Sequence, residues 1–181
     1  MQARLETYLA DCMERGLVLD AIVAQNVGQT NALWKIRESH AEAARHGDPA
    51  CYFDISVAEH KIPSFIEACN AACEKAVPGV RPRPFGHIGD GNLHYMFSAP
   101  VGIKDAAAFA PSVKILDRLV HDMAAAVDGS ISAEHGIGSV KMLDLERYRT
   151  RTELDIMRAI KKALDPQGIM NPGKVIRIDT D

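Results

Sequence analysis

Gly86-His87-Ile88-Gly89-Asp90-Gly91-Asn92-Leu93-His94 is the stretch that decides how this sequence is interpreted. It contains Asp90-Gly91, a dipeptide that tolerates the positive φ angles of a tight hairpin turn. A hairpin centred there places His87 directly opposite His94 on one face of two antiparallel strands. Opposed side chains have Cβ atoms about 4.5–5.5 Å apart, close enough for two imidazoles to bind one transition metal. This stretch alone leaves open a cross-strand histidine pair without a metal.

A second segment adds candidate ligands. Residues 130–133 are predicted to form a short strand, followed directly by Glu134 and His135. Adjacent strand residues point to opposite faces, so both side chains reach one site only if the strand ends there. Gly136 favours that ending. Two histidines and one carboxylate leave coordination positions open, as in catalytic metal sites. The candidate ligands from the residues alone are His87, His94, Glu134 and His135.

Length and composition limit the class of protein. The chain has 181 residues, of which 47% are hydrophobic, enough to bury a core. Its net charge of -3 and its lack of a Lys/Arg cluster argue against a nucleic-acid partner. No apolar run reaches the length of a membrane span, and residues 1–6 do not resemble a secretion signal. We therefore predict a cytoplasmic protein with no nucleic-acid partner and no membrane span.

The four cysteines are predicted to be structural. They lie in apolar surroundings without Cys-x-x-Cys spacing, which is typical of reduced thiols that pack as small hydrophobic residues. Cys69 and Cys73 share one face of a predicted helix with Phe65. We therefore expect core packing rather than metal binding or redox chemistry.

Hydrophobic periodicity predicts an α+β fold with a mainly antiparallel sheet, helices on one face and a small C-terminal helical lobe. Two domains are predicted, an α+β domain at 1–140 and the helical lobe at 141–181. A chain that starts with a helix in this pattern is expected to lack its first strand, leaving a sheet edge that a homodimer would cover. The predicted helices are 1–15, 30–47, 62–77, 105–127, 142–148 and 153–164. The predicted strands are 18–24, 51–57, 81–88, 93–98 and 130–133, with a weaker one at 175–178.

Three motifs stand out: residues 86–94, Glu134-His135-Gly136-x-Gly138, and Leu164-Asp165-Pro166-x-Gly168-Ile169-Met170-Asn171-Pro172-Gly173-Lys174. Together they resemble the C-terminal domain of FAD-linked oxidases, a family that includes D-lactate dehydrogenases, the glycolate oxidase flavin subunit and D-2-hydroxyglutarate dehydrogenase. The resemblance implies a ferredoxin-like antiparallel sheet that caps the flavin ring. It also implies a helical lobe, 141–181, that packs on a separate FAD-binding domain, which we do not expect within these residues. The chain is expected to be the substrate-side part of a flavoenzyme, and it could be a fragment.

The resemblance also implies residue roles. His87, His94 and Glu134 match the ligands of a divalent metal, zinc or manganese. His135 matches the base that takes the hydroxyl proton of a small 2-hydroxy acid, while the C2 hydrogen leaves as hydride to FAD. Arg37 matches the arginine that holds the substrate carboxylate, although a solvated helix face is the simpler interpretation of an isolated arginine.

Asn171 falls in the motif that approaches the flavin. A turn before Pro172-Gly173 explains Asn171 equally well.

The substrate prediction rests on departures from the family pattern. Tyr52 stands where members often have a lysine, Ala41 where some have threonine, and Met96 where some have asparagine. Tyr52 is therefore predicted to contact substrate without supplying a charge. These changes favour a 2-hydroxy monocarboxylate such as D-lactate over 2-hydroxyglutarate.

Two other functions stay open at this level. The chain could be a stand-alone or truncated metal- and ligand-binding module with no redox activity unless a flavin domain is supplied. A metal-dependent hydrolase is less favoured, because no second metal site and no leaving-group acid are evident in the sequence.

Overall fold

The computed structural model describes residues 2–45 and 47–177 of the chain, which divides into two compact units, 1–47 and 48–181. The described residues form six α-helices and three β-strands. None of these helices combines the length and the apolarity needed to cross a bilayer. The helices are α1 (Gln2–Glu14), α2 (Val27–Arg45), α3 (Ile62–Ala76), α4 (Ala106–Ala126), α5 (Met142–Tyr148) and α6 (Arg151–Leu164), and the strands are β1 (Ala50–Ser56), β2 (Arg81–Phe85) and β3 (Asn92–Ser98).

The first unit contains α1 and α2. The prediction of a strand at 18–24 is wrong. This segment is irregular, and the side chains of Leu19 and Ile22 are 98% and 79% exposed. Its backbone is partly satisfied locally, since the Ala21 N–H donates to the Asp20 carboxylate at 2.8 Å. An apolar run forms a strand only where another strand can pair with it, and the described part of the chain offers none here.

The second unit contains a three-stranded antiparallel sheet in the order β1-β3-β2, which confirms the predicted α+β class. Helices α3 and α4 pack on one face of this sheet. Apolar side chains that alternate along β1 and β3 point to these helices, as period-two strands require. The resulting core includes Phe53, Ile55, Leu93, Tyr95, Phe97, Phe65, Phe109, Leu116 and Val120.

The predicted register of the hairpin is wrong by two residues. Phe85, not His87, faces His94 across the β2–β3 pair. Residues 86–91 leave the ladder and form a short 3₁₀ turn at Ile88–Asp90. The His87 carbonyl accepts hydrogen bonds from the N–H groups of Asp90 at 2.9 Å and Asn92 at 3.2 Å, so its backbone is committed to the turn.

The two edges of the sheet, formed by β1 and β2, differ from the prediction. The strand predicted at 130–133 is a single antiparallel bridge between Ser56 and Ser130, at the position where a ferredoxin-like fold pairs its fourth strand with β1. On the other side, β2 carries Pro82 and Pro84, which have no N–H to donate to a further strand. The predicted homodimer stays a prediction.

The C-terminal residues form a small second core, built by Leu145, Leu154 and Ile176. Helix α6 begins with a capping box, in which the Thr150 hydroxyl and the Glu153 carboxylate bond to each other's backbone N–H groups. The strand predicted at 175–178 is absent from residues 175–177, and Ile178 lies outside the described residues. The predicted boundary near residue 140 stays a prediction.

All four cysteines are buried and unpaired by disulfides, as expected for reduced thiols that fill the core. Cys51, Cys69 and Cys73 belong to the core beneath the sheet.

Candidate metal centre

The three predicted metal ligands lie together on the face of the sheet opposite α3 and α4. The Glu134 carboxylate lies between two imidazoles, with Oε1 2.9 Å from His94 Nε2 and Oε2 3.5 Å from His87 Nδ1. The two histidine rings have centroids 5.9 Å apart. His87 reaches the group from the 86–91 turn rather than from a paired strand position.

His135 joins the same group although it is adjacent to Glu134. Its ring stacks on that of His94, with centroids 5.2 Å apart and planes at 16°. His135 Nε2 lies 3.7 Å from Glu134 Oε1, and 61% of the His135 side chain is exposed. Both residues reach one site because the segment after the Ser130 bridge is irregular, and it bends at Gly136, whose φ is +77°.

Asp54 organises this site, although the sequence motifs did not identify it as a site residue. It lies in β1 directly opposite His94 and is 4% exposed. Its Oδ2 accepts three hydrogen bonds from consecutive backbone N–H groups, those of residues 133, 134 and 135, at 3.0, 2.9 and 2.8 Å. One buried carboxylate oxygen therefore fixes the backbone that presents Glu134 and His135.

The second oxygen of Asp54 connects to the hairpin. Asp54 Oδ1 accepts a hydrogen bond from Asn92 Nδ2 at 3.0 Å, and the Asn92 Oδ1 accepts one from the His87 N–H at 3.3 Å. Asp54 Oδ1 also lies 3.6 Å from His94 Nδ1. A carboxylate on this side of the ring favours the tautomer with the proton on Nδ1, which leaves the Nε2 lone pair for a cation.

The environment of Asp54 keeps it ionised. Burial by itself raises the pKa of a carboxyl group. Here the hydrogen bonds from the N–H groups of His135 and Glu134, together with the charges of His135 and Lys141, outweigh burial and lower the pKa of Asp54 below its ordinary value. A buried aspartate within an apolar strand was the signal available in the sequence, since such a charge is retained only when it is paired and hydrogen-bonded.

Lys141 supports the same backbone from the other side. Its Nζ donates to the carbonyl oxygen of Ile131 at 2.9 Å and lies 3.5 Å from that of Asp54. Burial lowers the pKa of Lys141, while the negative charges of Asp54 and Asp117 oppose that shift.

The donor set fits a first-row divalent cation. Asp54, His94, Glu134 and His135 each offer one ligand atom within 4.8 Å of the others, and His87 lies beside Glu134. Two imidazoles with one carboxylate are ligands that Zn²⁺ and Mn²⁺ accept, and they leave positions open for a substrate. The Asp54 carboxylate, 3.6 Å from His94 Nδ1, lies on the side of the ring from which a carboxylate can orient a metal-binding histidine.

Comparison with known proteins matches the same chain to one family. The family model for FAD linked oxidases, C-terminal domain, matches residues 1–175. The chain belongs to this family. Similar proteins include D-2-hydroxyglutarate dehydrogenases of Stutzerimonas stutzeri (strain A1501), 40% identical over 177 residues, and of Xanthomonas citri pv. viticola, 41% identical over 167 residues. The mitochondrial D-2-hydroxyglutarate dehydrogenase of Arabidopsis thaliana is 32% identical over 173 residues.

These alignments cover 96%, 91% and 96% of this chain but only 38%, 34% and 29% of the respective relatives. The chain therefore spans about a third of the length of the curated relatives it matches.

Three further residues predicted from the family resemblance lie elsewhere in the chain. Tyr52 is on β1, two residues before Asp54 and on the same face of the sheet, with 63% of its surface exposed. Arg37 lies on α2 in the first unit, beside Leu33 and Trp34 along a shallow pocket. Asn171 has a φ of +48° and lines a groove beside α6. Their roles stay predictions.

Arg83 is a second residue that sequence reasoning missed. It faces Met96 on β3, and Tyr52 faces Met96 from the other side, so all three lie on the face of the sheet that carries His94. Arg83 is exposed, and its guanidinium donates to the Ser98 hydroxyl. Arg83 therefore adds a positive charge to the face of the sheet that carries His94, which the register of β2 could have indicated.

Proposed function

We propose that this chain is the substrate- and metal-binding domain of an FAD-dependent dehydrogenase that oxidises a 2-hydroxy acid at C2. The observation that carries the proposal is the Glu134 carboxylate between His87 and His94, with His135 stacked beside them. This arrangement combines a cation site that has open positions with a neighbouring base. Both are needed to remove a hydroxyl proton at neutral pH.

His87, His94 and Glu134 would hold a zinc or manganese ion. A cation at this position lowers the pKa of an alcohol bound to it. His135 is the proposed base that accepts the hydroxyl proton, because its ring is half-exposed and lies at the edge of the ligand set. Arg37 is proposed to bind the substrate carboxylate, since a guanidinium can bond both oxygens at once.

FAD would accept the hydride from C2. Most of its binding site is expected in a domain outside these residues. We propose that Asn171 contributes from this chain, because its loop lines the groove beside α6.

Side chains on the face of the sheet that carries His94 favour two different substrate classes. Tyr52 and the buried Met96 favour a monocarboxylate with an apolar tail, such as D-lactate. Arg83 favours a dicarboxylate, because a guanidinium on the same face could bind a second acid group. The names of the similar proteins support D-2-hydroxyglutarate as this second candidate.

Titration of the purified chain with Zn²⁺, which measures the affinity for the ion, tests the cation site. We expect His94→Ala and Glu134→Gln each to lower the affinity for Zn²⁺ at this site at least tenfold, since loss of even an outer-shell partner costs about 10–100-fold. Glu67→Gln, at an exposed position on α3, is the matched control. Equal Zn²⁺ affinity in Glu134→Gln and Glu67→Gln would refute the ligand assignment.

Turnover by the full-length enzyme tests the substrate. If the dicarboxylate is correct, Arg83→Met lowers kcat/KM for D-2-hydroxyglutarate by about 10–100-fold, as expected when a hydrogen-bonded ion pair worth about 1.5–3 kcal/mol is lost. The same variant leaves D-lactate oxidation unchanged. If the monocarboxylate is correct, the wild-type enzyme prefers D-lactate. If the full-length enzyme oxidises neither D-lactate nor D-2-hydroxyglutarate, both candidate substrates are refuted.

A module that binds metal and ligand without redox activity is the alternative. It predicts that the chain binds metal and ligand but oxidises no 2-hydroxy acid unless a flavin domain is supplied. A cytoplasmic location stays a prediction, and one of the similar proteins is named as mitochondrial.

A further inference from the structure

His121 is a buried polar side chain without a hydrogen bond. It lies on α4 with 0% of its surface exposed, and neither ring nitrogen has a hydrogen-bond partner within the described part of the chain. Aromatic rings form its walls, with Phe53 at 5.8 Å and Tyr148 at 6.2 Å between centroids. Each unsatisfied buried polar group costs about 1–3 kcal/mol, so such a ring calls for a ligand.

Two carboxylates face this ring. Asp117 lies one helical turn before His121, with Oδ1 3.7 Å from Nδ1, which is too long for a hydrogen bond. Asp144 lies on α5. The three residues each offer one ligand atom, and these atoms lie within 4.8 Å of one another. The three form a separate group from the cluster around Glu134.

The neighbouring cations are already committed to other partners. The Arg118 guanidinium bonds both oxygens of Asp122 at 2.9 and 2.8 Å. Lys141 Nζ donates to the Ile131 carbonyl. Burial and the nearby charge of Asp144 raise the pKa of Asp117, although His121 opposes this. The charges of Lys141 and Arg118 act on Asp117, but within the described residues neither Asp117 nor Asp144 forms an ion pair with a lysine or an arginine.

We propose that Asp117, His121 and Asp144 bind a second divalent cation, of the zinc class, in addition to the cation at Glu134. One imidazole and two carboxylates are ligands that Zn²⁺ accepts at about 2.0–2.2 Å, with water as a fourth ligand. Asp117 is 39% exposed, which gives the ion and the water a path from solvent. Rotation of the two carboxylates toward the ring would close the site.

The second cation would stabilise the fold, although three protein ligands and a water differ from the four protein ligands of a closed structural zinc site. It would join α4, which packs on the sheet, to α5, which begins the C-terminal lobe. The ion would compensate both carboxylates and bind one nitrogen of His121, while the other nitrogen carries the proton. Nothing in this group resembles a substrate site, because aromatic rings cover the imidazole on two sides.

Cobalt titration of the purified chain tests this proposal independently of the first site. The double variant His87→Ala/Glu134→Gln serves as the parent, because it removes two ligands of the other cluster. We expect the parent to bind one Co²⁺ per chain and to show the visible absorption bands of four-coordinate Co²⁺. Adding Asp117→Asn or Asp144→Asn should weaken this binding at least tenfold. Adding Asp128→Asn, at an exposed position just after the same helix, should leave it unchanged.

Two results would overturn the second site: a parent that binds no Co²⁺, or Asp117→Asn and Asp144→Asn variants that bind it as tightly as the parent. His121→Phe is a further variant, but the half-exposed aspartates decide the question if it does not fold. The proposed function is judged separately, since Asp144→Asn in the wild-type background should still bind one cation at Glu134. Loss of that cation instead would count against the Glu134 site.

Discussion

Asp54→Asn tests the central structural claim, that one buried carboxylate assembles the site. Asparagine keeps the shape of the side chain and removes its charge. Its carbonyl oxygen can still accept from the three N–H groups at 133–135. Its amide nitrogen then faces the Asn92 amide, which donates to Asp54 Oδ1 in the wild type. The substitution thus weakens three hydrogen bonds and sets two donors against each other.

The expected loss of stability follows from these four contacts. Hydrogen bonds to a charged group contribute about 1.5–3 kcal/mol and neutral ones about 0.5–1.5 kcal/mol, so each of the three loses about 1 kcal/mol. The fourth contact adds about 1–2 kcal/mol for an unsatisfied donor. We expect the free energy of unfolding to fall by about 4 kcal/mol, against a typical total of about 5–15 kcal/mol. Urea unfolding at pH 7 measures this difference.

The pH dependence gives a second check. The folded protein lowers the pKa of Asp54, so the carboxylate contributes stability above the pKa of the unfolded chain, about 3.9. That contribution is lost as the pH falls through the lower folded-state pKa. The difference between wild type and Asp54→Asn should therefore shrink as the pH falls below about 4.

Asp90→Asn, in the exposed neighbouring turn, is the matched control and should change stability by less than about 0.5 kcal/mol. A difference below about 1 kcal/mol for Asp54→Asn at pH 7, or one that grows as the pH falls below about 4, would contradict the role given to this carboxylate.

Three other variants follow from the same geometry. Gly91→Ala should lower the free energy of unfolding by about 2–4 kcal/mol in urea unfolding, because Gly91 has a φ of +69° and a Cβ there would lie 2.4 Å from the Val57 carbonyl oxygen; Gly89→Ala, where a Cβ meets nothing within 4 Å, is its control. His135→Asn should retain the Zn²⁺ affinity of the wild-type chain while the full-length enzyme loses about 10²–10⁴-fold in kcat, and loss of Zn²⁺ instead would make His135 a ligand rather than a base. Lys141→Met should destabilise the chain by about 1–3 kcal/mol, since the Ile131 carbonyl loses its buried donor, and an unchanged midpoint in urea would contradict this.

The helices were predictable because their signal is local. Helix α5 has the predicted bounds, and α3 and α4 differ from prediction by one residue at one or both ends. Their apolar side chains recur with helical spacing, and the period depends only on the neighbouring sequence. Cys69 and Cys73 share the buried face of α3 with Phe65 for the same reason.

The strands at 18–24 and 130–133 were not predictable in this way. A strand needs a partner at the right place in the fold, and an apolar run carries no information on that partner. Residues 18–24 find no pairing in the described chain, and residues 130–133 keep one bridge, to Ser56. The pairing of His87 with His94 failed for a related reason, because the close approach at Gly86 ends the ladder. A Cβ at Gly86 would lie 2.4 Å from the Asn92 carbonyl oxygen.

The imidazoles nevertheless converge, and the reason lies in contacts that no local pattern encodes. The His87 N–H bonds to Asn92, the Asn92 amide bonds to Asp54, and Asp54 holds the backbone of Glu134. The proposed ligands therefore come from segments that meet only when β1 pairs with β3. An unfolded chain cannot form such a site, so cation binding at Glu134 should add directly to the stability of the fold.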